Sequence, residues 1–160
     1  MVEKNKNLLI KIIFLVSIIA LVSAFFIEYI LSHQPCNLCI LERIPYLLAI
    51  IIILLNFKFS HYEKFFILLL SIIFLAGAII SLYHLGIEQG FIQESLVCDL
   101  KSGSNLLSKE EILKQLQEKN VSCKDVTFKI FGLSLTSYNI LISLLITVST
   151  GKIYFNYEKN

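Results

Sequence analysis

Two cysteines three positions apart, Cys36 and Cys39, sit in the stretch Gln34-Pro35-Cys36-Asn37-Leu38-Cys39-Ile40-Leu41-Glu42-Arg43, where reactive side chains are densest. A disulfide across two residues closes so small a ring that it removes little entropy from the unfolded chain, and it is easily reduced. Redox exchange is therefore a better reason for the pair than stability. If Cys36 opens a helix, the peptide dipole and free N–H groups favour a thiolate there. Arg43 stands four residues after Cys39, so on a continuous helix its guanidinium lies on the same face, one turn deeper. There it can stabilise a Cys39 thiolate and the anionic oxygen of a reduced acceptor beside it. The plainer alternatives for Arg43 are an interfacial anchor or a partner for Glu42.

The other two cysteines, Cys98 and Cys123, flank 24 residues. A crosslink there contributes about 3–4 kcal/mol on the loop-entropy model. Taken alone it reads as a loop staple; beside a redox pair it reads as functional. Zinc is disfavoured and no metal is expected, because structural zinc sites bring ligands in two close pairs and Cys98 and Cys123 are far apart. His84 can donate to a bound ligand's carbonyl oxygen or serve as a belt residue beside Tyr83, whereas His33 and His61 read as solvated. Glu28 reads as an interfacial carboxylate.

These residues must be positioned by an integral membrane scaffold. Of the 160 residues 56% are hydrophobic and only 16% charged, which moves the class from soluble domain to membrane protein. The formal net charge of +2 and the absence of a basic run leave no electrostatic footprint for nucleic acid. An all-α bundle of four membrane spans follows, at about 12–30, 38–57, 65–85 and 133–152, forming one membrane domain over 1–160. The first apolar stretch runs on past Val22-Ser23-Ala24 through Phe25, Phe26 and Ile27, which favours a retained span over a cleaved signal peptide.

The second span decides where the cysteines lie. From Ile44 to Phe57 there is apolar chain for only about 21 Å of helix, short of a hydrocarbon layer of roughly 30 Å. The cysteine motif must form the first turns of that span or a short helix stacked on it, with Pro45 at the joint. Cys39 then sits at the membrane surface. External loops fall at about 31–40 and 86–131, the second carrying a short amphipathic helix announced by the capping box Ser108-Lys109-Glu110-Glu111. Lysines flanking the spans, among them Lys4, Lys6, Lys11, Lys58, Lys64 and Lys152, favour cytoplasmic termini and place all four cysteines on the oxidising side. Ala20, Ala24, Ala76, Gly77, Ala78 and Ser81 supply small residues for close helix contact.

Pro35-Cys36-x-x-Cys39-x-x-Glu42-Arg43-x-Pro45-Tyr46 between the first two of four spans, followed by a lone-cysteine pair in a long second external loop, resembles the disulfide bond formation protein B (DsbB) family of bacterial inner membranes. Tyr83-His84-x-Gly86 and Phe131-Gly132-Leu133-Ser134 are weaker echoes. The resemblance covers essentially the whole chain. It implies a multi-pass inner-membrane enzyme that reoxidises a DsbA-like periplasmic thiol oxidase of thioredoxin fold and passes the electrons to membrane quinone, ubiquinone or menaquinone. Cys36–Cys39 and Cys98–Cys123 would be its redox-active disulfides. A partner thiolate would attack Cys98, Cys123 would then attack Cys36, and Cys39 would be freed to react with the quinone, with Arg43 and His84 as quinone-binding side chains. Two departures stand out: Glu42 where many members carry Gln, and Tyr138 with no Trp near the start of the last span. A vitamin K epoxide reductase type is the main enzymatic alternative, but there the Cys-x-x-Cys comes late in the chain. A non-enzymatic four-span protein with structural disulfides is the alternative of a different class.

Overall fold

The computed structural model describes residues 2–93, 123–124, 129–130 and 132–157. Among the described residues there are five α-helices, α1 Val2–Tyr29, α2 Asn37–Leu41, α3 Ile44–Lys58, α4 Glu63–Glu88 and α5 Leu135–Tyr157, with a 3-10 turn at Ser60–Tyr62. Four segments among the described residues are long and apolar enough to cross a membrane, α2 and α3 together counting as one: Lys6–Tyr29, Asn37–Lys58, Glu63–Glu88 and Leu135–Asn156. Large apolar side chains such as Leu15, Val22, Phe57, Phe65 and Leu145 point outward. A helix exposing such a surface is stable only where lipid, not water, is the solvent.

The second segment is broken where the sequence places its joint. In an unbroken helix the N–H of residue 45 would bond the Leu41 carbonyl, and Pro45 has none. The chain passes from α2 into α3 through a tight turn, in which the Glu42 N–H donates to Leu38 O at 3.0 Å and the Arg43 N–H to Ile40 O at 3.1 Å. α2 is thus a short helix stacked on α3, the second of the two arrangements expected.

α1 packs against α3, α3 against α4, and α5 lies along α4. Their shared core holds Ile13, Tyr46, Ala49, Ile53, Leu70, Phe74 and Ile146. Tyr46 meets Phe74 edge-to-face, with centroids 5.6 Å apart, the geometry that aromatic quadrupoles favour. Gly77 lets α4 approach the head of α3, since a Cβ there would stand 3.0 Å from Pro45 Cγ. Near the other end of the bundle Lys6 Nζ and Glu63 Oε2, 2.6 Å apart, tie α1 to α4.

The last helix starts at Leu135, two residues later than expected. Leu133–Ser134 forms instead a two-residue strand, antiparallel to Lys129–Ile130, with Lys129 opposite Ser134 and Ile130 opposite Leu133. Gly132 takes a φ of +82° in the turn between them, a conformation that costs other residues. The Ser134 hydroxyl accepts the Ser137 N–H at 3.4 Å, as a residue just ahead of a helix does. Cys98 and the amphipathic helix expected after Ser108 lie outside the described residues.

Candidate functional site

Cys36 occupies the N-cap of α2, with extended backbone (φ −71°, ψ 167°), and its sulfur accepts the Cys39 N–H at 3.2 Å. The two Sγ atoms are 2.6 Å apart and both cysteines are free, so the disulfide expected here is open in this structure. Cys36 is buried and Cys39 half-buried. Cys123, itself disulfide-bonded, is buried beside Cys36 in a cluster with Leu38 and Ile87. The Cys36 thiol is pulled down to about 5: its hydrogen bond with the Cys39 side chain outweighs burial, which opposes ionisation, and His84 and the Cys39 N–H add to the shift. The helix terminus therefore favours the first thiolate of the pair.

His84 is 1% exposed, with Nε2 3.5 Å from Cys36 Sγ. Its Nδ1–H donates to Glu42 Oε1 at 2.8 Å, which fixes the ring and turns Nε2 toward the sulfur. The carboxylate–imidazole–thiol order is that of an activated nucleophile oriented by a third group. It corrects the belt reading of His84. The second Glu42 oxygen accepts Asn139 Nδ2 at 3.1 Å. Asn139 also donates to Ser81 Oγ at 2.7 Å and accepts the Tyr46 hydroxyl. Thr136 Oγ1, 3.2 Å from His84 Nδ1, donates to Glu88 Oε1 at 2.8 Å.

Arg43 is turned away from where a continuous helix would have put it. Its Nη1 donates to Glu28 Oε2 at 2.5 Å, and its guanidinium carbon stands 5.4 Å from the centre of the Phe25 ring. The break at Pro45 rotates the side chain toward α1, so Arg43 pairs with neither Cys39 nor Glu42. Glu28, expected at the headgroups, is the partly buried counter-ion of this arginine.

These groups meet at a cavity of about 730 Å³. Its apolar wall comes from α1 residues such as Ala20, Leu21, Ala24 and Ile27, facing Leu135, Tyr138 and Ile142 of α5. Cys36, Cys39, Arg43, His84, Glu88 and Cys123 supply its polar part. An apolar cleft of this size with a few converging polar groups suits one small, mostly apolar ligand. Cys36 Sγ, Cys39 Sγ and His84 Nε2 lie within 4.8 Å of one another, which invites comparison with a metal site. The sulfurs are closer together than two thiolates on one tetrahedral ion, which bonds of about 2.3 Å hold roughly 3.8 Å apart.

Five of the six residues singled out from the sequence thus border one cavity; the sixth, Cys98, lies outside the described residues. Glu88, Thr136, Asn139 and the role of Glu42 escaped sequence reasoning. The available signal was polar side chains at the ends of the third and fourth spans, which are costly in a membrane unless they serve a site.

The model of the disulfide bond formation protein DsbB family matches residues 6–152. The chain is 32% identical to the uncharacterized protein RP370 of Rickettsia prowazekii (strain Madrid E), over 99% of this chain and 94% of that one. No solved structure matches significantly. A four-span helical bundle with a Cys-x-x-Cys at the head of its second span, matched over nearly its full length, settles the family: the chain belongs to the DsbB family, membrane oxidoreductases of disulfide bond formation.

Proposed function

We propose that this protein reoxidises a DsbA-like thioredoxin-fold dithiol oxidase by disulfide exchange and delivers the electrons to a membrane quinone. One observation carries the reading: both sulfurs of the Cys-x-x-Cys, Cys123, His84 and Arg43 border a single cavity with largely apolar walls. The lysine flanks favour cytoplasmic termini and a periplasmic cysteine face, in the inner membrane that the family implies.

The relay conserves electrons at each exchange. The partner's two thiols are oxidised as a Cys98–Cys123 disulfide is reduced, with Cys98 the sulfur attacked. That pairing accords with a disulfide-bonded Cys123 beside free Cys36 and Cys39. Cys123 then attacks Cys36, from which it is separated by no more than the packing of one buried cluster, and Cys39 leaves. When Cys98 reclaims Cys123, Cys36 departs as a thiolate, and its lowered pKa makes it a good leaving group. A quinone held in the cavity would accept two electrons and two protons, ending as hydroquinone. Arg43, paired with Glu28, places a cation on the cavity wall, where negative charge on a bound oxygen would be stabilised.

Full-length protein in lipid nanodiscs, given a reduced thioredoxin-fold dithiol and either ubiquinone or menaquinone, tests the reading. Stoichiometric loss of quinone absorbance with formation of partner disulfide is expected. Oxidation of the partner at the same rate without quinone would contradict it.

A further inference from the structure

Glu88 is a carboxylate that the relay leaves without a task. Its side chain is 6% exposed at the outer end of α4 and borders the cavity. Oε1 accepts the Thr136 hydroxyl and stands 3.8 Å from His84 Nε2. Oε2 is fully buried and has no hydrogen-bond partner among the described residues. A buried carboxylate oxygen left unpaired is strongly disfavoured, and in a membrane protein such a group marks a proton or substrate path by default. A structural carboxylate would have both oxygens satisfied, as Glu42 has.

The groups around Glu88 form a chain with the reacting sulfur at one end. Cys36 Sγ is 3.5 Å from His84 Nε2, and the same nitrogen is 3.8 Å from Glu88 Oε1. From α5, Thr136 touches both Glu88 and His84. Glu42 holds the far side of the imidazole. Cys39, Cys123, His33, Tyr46, Tyr138 and the Glu28–Arg43 pair complete the ionisable lining of the cavity.

We propose that Glu88 is a proton-transfer residue: it takes a proton released through His84 as the Cys36–Cys39 dithiol is oxidised and yields it to the ligand in the cavity. This rests on the quinone reading above. Oxidation to the disulfide frees two electrons and two protons, one from the Cys39 thiol and one that Cys36, on forming its thiolate, has passed to the His84 ring beside it. A lipid-borne quinone consumes the same number as it becomes hydroquinone. His84 and Glu88 give those protons two stations beside a cavity with largely apolar walls. The unpaired Oε2 is the atom that carries the proton.

The test has one arm without quinone. Infrared reduced-minus-oxidised difference spectra of the full chain in nanodiscs, poised with dithiothreitol and its disulfide, should contain a carboxyl C=O band that shifts in heavy water. That band should be absent in Glu88→Gln. In the second arm, reduced protein is mixed with quinone, and Glu88→Gln should slow the single-turnover oxidation about 100-fold, the lower range for a lost general acid or base. Glu88→Asp should restore most of the rate, and Glu88→Gln should slow exchange between the protein and the partner dithiol far less than it slows quinone reduction. A wild-type difference spectrum without a carboxyl band, or with one that Glu88→Gln keeps, overturns the proposal. So does a Glu88→Gln protein whose two half-reactions slow equally, since that is loss of structure. If the wild type itself does not reduce quinone, the quinone reading fails; the infrared arm still reports whether Glu88 follows the dithiol.

Discussion

At Cys36 three contacts converge on one sulfur, the Cys39 side chain, the Cys39 backbone N–H and the His84 ring, and each favours the thiolate. The consequence is a pH dependence with a definite sign. In the reduced protein the Cys36 thiolate is fully formed above pH 6, is half-protonated at about 5 and is lost below that. Ultraviolet thiolate absorbance, taken as wild type minus Cys36→Ser, should therefore titrate at about 5, and the midpoint should rise in His84→Gln. A wild-type midpoint in the ordinary thiol range would show that the contacts do not act on this group. Arg43 supports a second prediction. One guanidinium nitrogen is held by Glu28 on the cavity wall, so Arg43→Met should raise KM for quinone about tenfold to hundredfold, equivalent to losing a charged hydrogen bond of roughly 1.5–3 kcal/mol. Arg43→Lys should restore only part of the loss, since an ammonium lacks the fork; an unchanged KM in Arg43→Met would remove Arg43 from the site. The candidate status of Cys36, Cys39 and Arg43 was legible because local spacing carries it. The Glu42–His84 contact was not, because 42 positions separate the two and only the docking of α2 on α4 brings them together. Arg43 was placed on the wrong side because its direction depends on where the helix breaks, within a single residue of Pro45.

The short helix α2 was deducible from lengths alone: the apolar run after Arg43 cannot span a bilayer, so the cysteine turn had to extend it. The start of α5 was misplaced by two residues, since hydropathy does not register a turn at Gly132 or a serine that ends a strand and heads a helix. Small residues in α4 pointed correctly to a close contact, though not to its partner, the Pro45 ring. That contact gives a prediction for helix packing. Gly77→Ala places a methyl 3.0 Å from a rigid pyrrolidine ring, so it should destabilise the bundle by about 1–3 kcal/mol, the usual effect of overpacking. Thermal unfolding in nanodiscs, followed by helical circular dichroism, should show a lower Tm; an unchanged Tm would mean the helices separate freely at that point. Because Pro45 heads the helix that carries the cysteine turn, the same variant should also slow quinone reduction.

Across the whole molecule, composition was enough to give the class and the number of spans, because an apolar exterior has one physical solution in lipid. What composition could not give is the gap between α1 and α5, which exists only once α1 has packed on α3 and α5 on α4. The order of the cysteine pairs along the chain had already set the vitamin K epoxide reductase type aside, and the family match agrees. Sidedness is a prediction of this scale. A thiol reagent that cannot cross membranes should label reduced cysteines in spheroplasts but not in inverted vesicles of the same membrane; the reverse pattern would turn the molecule over. Exit of electrons from the protein dithiol through Cys39 to a quinone is read by steady-state oxidation of a reduced thioredoxin-fold dithiol by the purified full chain with quinone, wild type against Cys39→Ser. Quinone-dependent turnover is expected in the wild type and none in the variant. Full turnover by Cys39→Ser would contradict exit through Cys39.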